Sequence, residues 1–151
     1  DIACFSGSSA PGLFMPNSES NCISIPRHVW QGLGGYDVRF DLRGGGLINL
    51  DLYKRACEFP GVQHIIAPGE GTFHQFHGGV TTGGQSREKR EAYIEQSMAQ
   101  YRELRGEEFV SPRTQPLYLG EIPEQAQKFV HYSASRVLDA RGEAPLAHGP
   151  A

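Results

Sequence analysis

The sequence has no long hydrophobic run. None of its apolar stretches approaches the roughly 20 residues needed to cross a bilayer, and no signal-peptide pattern opens the chain. Cysteine is scarce. Cys4, Cys22 and Cys57 are an odd number without Cys-x-x-Cys spacing, which argues against a disulfide framework or a zinc site and reads as buried thiols in a reducing compartment. Neither sign of charge dominates: the formal net charge is −3 and the basic residues are scattered, which argues against a nucleic-acid footprint. Internal repeats and low-complexity tracts are also missing. What remains is a 151-residue chain, 38% hydrophobic and 21% charged. That is enough for one domain burying about two-thirds of its unfolded surface, and it is neither a disordered tail nor a membrane protein. A soluble, cytoplasmic protein is expected.

Glycine, by contrast, is abundant: 19 residues, concentrated before residue 85. Glycine-rich loops let backbone approach a ligand closely and usually decorate a larger scaffold. The chain opens apolar, Asp1-Ile2-Ala3-Cys4-Phe5, without an initiator Met, as though a strand were already running. Both features predict a piece of something longer.

The apolar pattern predicts these elements. A strand is expected over Asn21–Ile25, then Pro26 and two helical turns, Arg27–Leu33, stopped by Gly34-Gly35. Apolar residues at 47, 50, 53 and 57 predict a helix ended by Pro60-Gly61. A short strand follows over Val62–Ala67. After residue 85 charge replaces glycine, and a helix over Ser86–Arg105 carries the stripe Tyr93, Ile94, Met98, Tyr101 and Leu104. Ser111–Pro123, with three prolines, should be extended, and Glu124–Leu138 should form another helix before a frayed tail.

Three stretches hold chemistry. Gly34-Gly35-Tyr36-Asp37 does not match a dinucleotide-binding loop and reads as a helix stop. Gly44-Gly45-Gly46 leads into Asn49 and Asp51, and free N–H groups there would seat an anion or sugar hydroxyls. Asp51 is equally readable as a helix-start carboxylate paired with Lys54 or Arg55. Finally, "GEGTFHQFHGG" sets His74 and His77 three apart behind Glu70. Two histidines are too few for a closed structural zinc site, so a metal, a turn and a core role all stay open.

Read in order, Asn21, Arg27, "LGGYDVRF", a glycine loop, "LDLYKRA" and a late histidine with glycines resemble the family-two glycosyltransferases. Their pattern has an Asn in a strand, a basic residue, "GGFDxxF", an acidic "ED" followed by "DLxxR", and a late histidine. "ESNC", "GGYDVRFDLRGGGLINLDLYKRACE" and "PLYLGEIP" are similar to a bacterial subgroup of predicted glycosyltransferases, and the likeness runs to about residue 130.

The resemblance implies an α/β fold, the C-terminal, acceptor-side half of a GT-A domain. Residues 1–84 would be a partial sheet with flanking helices, and 85–151 a C-terminal helical extension and tail. It implies a nucleotide-diphosphate sugar as donor, a glycan or small-molecule acceptor, and a divalent Mg²⁺ or Mn²⁺ ion. It also implies a cytoplasmic location, free or at the inner face of the membrane. By position, Asn21, Arg27, Gly44, Gly45 and Gly46 would bind substrate, and Gly34, Gly35 and Asp37 would form the turn beneath the site. His77, with His74 as second choice, would face the diphosphate and its metal.

One departure stands out. The acidic pair expected before "DL" falls on Ile48-Asn49, and Asn49 cannot take a proton from a sugar hydroxyl. Asp51 is the first choice for general base, Glu70 the next; retaining chemistry or lost activity are the remaining options. Two other classes stay in view. One is a small hydrolase holding zinc with His74, His77, Glu70 and His64. The other is a binding module whose stripe around Tyr93, Met98 and Tyr101 lies exposed for a partner.

Overall fold

A computed structural model describes residues 22–67 and 86–127, with residues 130, 131, 134, 135, 138, 139, 142 and 143. Among them are three α-helices, α1 (Arg27–Leu33), α2 (Ile48–Cys57) and α3 (Arg87–Arg105). Two short strands, β1 (Ile65–Ile66) and β2 (Leu117–Tyr118), and a 3₁₀ turn over Glu124–Ala126 complete them. Helices and parallel strands are thus both present, but these elements are too few to display half of a GT-A fold. No helix among the described residues is long and apolar enough to cross a membrane.

The chain forms two compact units. The first holds described residues 22–63 and 86–114, the second 64–67 and those from 115 onward. This division does not follow residue 85, because α3 packs in the same unit as α1 and α2.

In the first unit the helix boundaries follow local chemistry. Pro26, φ −57°, precedes α1, and Gly34 ends it in the left-handed conformation at φ 72°. Ser86 caps α3, its hydroxyl accepting the Lys89 N–H at 3.4 Å, and Gly106 closes the helix at φ 73°. The core is small: Val29 from α1, Phe40, Leu52, Tyr53, Ala56 and Cys57 from and around α2, and Tyr101 from α3. Tyr101 lies between two aromatic rings, 6.1 Å from Phe40 and 5.3 Å edge-on from Phe109. Burial pushes the Cys57 thiol up to about 11, so it stays protonated and inert. The Asn21–Ile25 strand is not found over its described part: Cys22 to Pro26 carries no strand, and Ile23 and Ile25 are half-buried.

In the second unit β1 and β2 pair in parallel, Ile65 with Leu117 and Ile66 with Tyr118. Leu117 N–H donates to His64 O at 2.8 Å and Leu119 N–H to Ile66 O at 2.9 Å. The expected strand over 62–67 therefore shrinks to two residues. His64 is buried, which lowers its pKa by penalising the imidazolium. The expected helix from Glu124 begins as the 3₁₀ turn, and helical residues recur from 127 to 139, where Ser135 Oγ donates to His131 O at 2.9 Å.

Candidate functional site

The site begins with the turn after α1. Gly35 adopts φ 71°, and a Cβ there would lie 2.9 Å from the Trp30 indole. A side chain at 35 would therefore meet both backbone strain and the ring. The double glycine lets the chain fold back under Trp30, and Gly35 N–H donates to Trp30 O at 3.2 Å. Tyr36 then meets Trp30 edge-on, ring centroids 5.7 Å apart at 82°. Both rings remain 40% exposed. They border an open pocket of about 630 Å³ lined also by Cys22, Ile23, Ile25, Arg27 and Leu52.

An ionic network centred on the buried Asp51 carboxylate fastens that turn to the other two helices. Arg55 donates from Nη1 to Leu33 O and from Nη2 to Gly35 O, both at 2.9 Å, tying α2 to the end of α1. Its Nε donates to Asp51 Oδ2 at 2.8 Å. From α3, Arg105 donates Nε to Asp51 Oδ1 at 2.6 Å and Nη2 to Oδ2 at 2.8 Å. Its Nη1 lies 3.0 Å from Asp37 Oδ2, and its guanidinium sits 5.4 Å from the Phe40 ring centroid. Asp37 also takes both Arg39 Nε, at 2.9 Å, and Nη2, at 2.6 Å. The Arg39 fork, with further help from Arg105, holds the Asp37 carboxyl well below its ordinary pKa. The bond to Asp51 raises Arg105 above the usual guanidinium range.

This geometry changes the part assigned to Asp51. Its side chain is 1% exposed, and both oxygens already accept guanidinium N–H groups. A general base must reach the hydroxyl it activates; Asp51 is instead an anchor. Of the two partners the sequence offered it, Arg55 is present, whereas Lys54 pairs with Glu58 at 3.0 Å. The "DLxxR" stretch is thus a lock between α2 and the Gly34-Gly35 turn. Asn49 is exposed on α2, and its amide is not basic enough to take a proton from a hydroxyl.

The glycine loop also differs from expectation. Gly44, Gly45 and Gly46 take φ 83°, 82° and 54°, conformations that glycine adopts without strain. Their N–H groups are not all free to seat an anion. Gly45 N–H donates to Leu42 O at 2.7 Å, and Gly46 N–H to Tyr93 Oη at 3.1 Å. Tyr93 Oη in turn donates to Arg43 O at 2.8 Å, and Gln100 Nε2 to Asp41 Oδ1 at 2.7 Å. Helix α3 clamps the loop shut.

Arg27 is the first residue of α1, exposed beside Trp30 and Tyr36, rather than part of a sheet. Asn21, Glu70, His74 and His77 lie outside the described residues. Among the described residues, no group of three or more His, Cys, Asp or Glu is arranged to hold a metal. Among the described residues, the carboxylates paired with Arg105 are those of Asp37 and Asp51, both occupied by guanidinium groups. The stripe on α3 faces inward at its centre: Tyr101 is 2% exposed and Tyr93 is hydrogen-bonded to the loop. Ile94, on the same stripe, stays 41% exposed, and Met98 is half-buried.

Sequence reasoning missed Trp30, Tyr36 and Arg105. The chain's single Trp, one turn before a double glycine, was a usable signal for the first two. Arg105 stands in the last turn of an amphipathic helix, where a cation ordinarily serves the dipole, and nothing local marks it as buried. Compared with known proteins, the chain matches no family profile, no curated protein and no solved structure.

Proposed function

We propose that this chain supplies the acceptor side of a glycosyltransferase that moves a sugar from a nucleotide-diphosphate donor to a hydroxyl of a glycan or small molecule. The observation that carries the reading is the exposed Trp30–Tyr36 pair bordering an open pocket of about 630 Å³. That volume falls within the range of small-ligand sites. Aromatic faces beside a cation suit a sugar, which presents C–H surface and hydroxyls together. Two of its lining residues, Arg27 and Tyr36, come from stretches that carry the family-two resemblance. A cytoplasmic location belongs to this proposal.

The residues then divide by role. Arg27, Trp30 and Tyr36 bind and orient the acceptor. Asp51, Arg55 and Arg105 hold the turn that carries Tyr36. Deprotonating the acceptor needs a carboxylate other than Asp51, and Glu70 is the remaining nominee of the sequence. In such a reaction Mg²⁺ or Mn²⁺ would neutralise charge on the departing diphosphate. The residues that would hold that ion, His77 and His74, lie outside the described residues.

Saturation-transfer NMR on the chain, with mono- and disaccharides, tests the reading alongside a zinc titration. Saccharide ring protons should receive saturation, and zinc should bind only weakly. Stoichiometric tight zinc binding without any saccharide signal would favour the hydrolase instead.

A further inference from the structure

Among the described residues, the pocket carries charge of one sign only. The described residues that line it are Cys22, Ile23, Ile25, Arg27, Trp30, Tyr36 and Leu52, with no carboxylate among them. The other inward-turned cations of this unit are committed: Arg55 donates to Asp51, Leu33 O and Gly35 O, and Arg105 to Asp51 and Asp37. Arg27 differs. It is exposed at the pocket, and none of the ion pairs among the described residues includes it. A guanidinium presents a planar fork of donors that matches a carboxylate or phosphate with two parallel hydrogen bonds.

Resting on the acceptor-side reading above, we infer that the pocket selects an anionic saccharide. The sugar ring lies against Trp30 and Tyr36, and its carboxylate or phosphate ester sits on Arg27. A neutral sugar would use the aromatic rings but leave the guanidinium to water. The charged group adds the charge-assisted bonds that separate one acceptor from another.

Trp30 is the only Trp in the chain, so its fluorescence reports this pocket without interference. The full chain is titrated with glucuronic acid, glucose 6-phosphate and glucose, and with acetate and inorganic phosphate, all at equal ionic strength. One of the charged sugars should shift Trp30 emission with at least about tenfold higher affinity than glucose. The stronger of the two identifies the carboxylate or the phosphate as the natural group. Arg27→Gln should bring the charged sugar to the level of glucose, while the urea midpoint stays that of the parent chain. If glucose binds as well as both charged sugars, the anionic inference falls and saccharide binding stands. If acetate or phosphate alone matches the charged sugars, the ring plays no part and the inference falls too. No response to any sugar overturns both this inference and the acceptor-side reading.

Discussion

Asp51→Asn is expected to lower the unfolding free energy by about 3–5 kcal/mol, the range for breaking a buried ion pair from one side. The carboxylate is 1% exposed and accepts from Arg55 and Arg105. An amide there offers one acceptor oxygen and no charge, and leaves two largely covered guanidinium groups, 25% and 20% exposed, short of a partner. Total stabilities of single domains are about 5–15 kcal/mol, so this loss is a large fraction of the whole. Urea unfolding of parent and variant measures it. Because the cost is mostly stranded charge, Asp51→Asn with Arg105→Met should lose less than the sum of the two single changes. A drop below about 1 kcal/mol for Asp51→Asn would mark the pair as a solvated surface contact, contrary to its burial.

Tyr101→Ala should cost a similar amount, about 3–5 kcal/mol, the range for removing a large buried aromatic side chain. Tyr101 is 2% exposed between Phe40 and Phe109, so truncation opens a cavity with no easy way to collapse. The experiment also separates two views of α3. If the helix is part of the unit that holds α1 and α2, helicity and Trp30 fluorescence will be lost at one urea midpoint, shifted together. Helicity lost early with an unchanged Trp30 transition would make α3 an independent appendage, as a boundary at residue 85 suggested.

The helices were legible because their signals are local. Gly34-Gly35 ended α1 where expected, Ser86 and Gly106 bracket α3, and apolar spacing located α2 to within a residue of Ile48. The strands were not, since β1 and β2 pair across a long stretch of chain and propensity says nothing about such partners. The site was legible in part. The stretch from Gly34 to Asp37 and the stretch from Asp51 to Arg55, both marked in the sequence, meet in one ionic network. Their roles were not readable, because Asp51 becomes an anchor only when Arg105 arrives from α3, far along the chain. The glycine loop misled for the same reason: Tyr93 takes the Gly46 N–H that looked free.

Saccharide recognition at this pocket is tested most directly by mapping backbone amide shifts of the ¹⁵N-labelled chain as glucose and glucuronic acid are added. If the chain holds an acceptor sugar as proposed, the largest shifts will cluster at Ile23, Ile25, Arg27, Trp30, Tyr36 and Leu52, the residues around the pocket. Shifts confined to other surfaces, or none with either sugar, would contradict it.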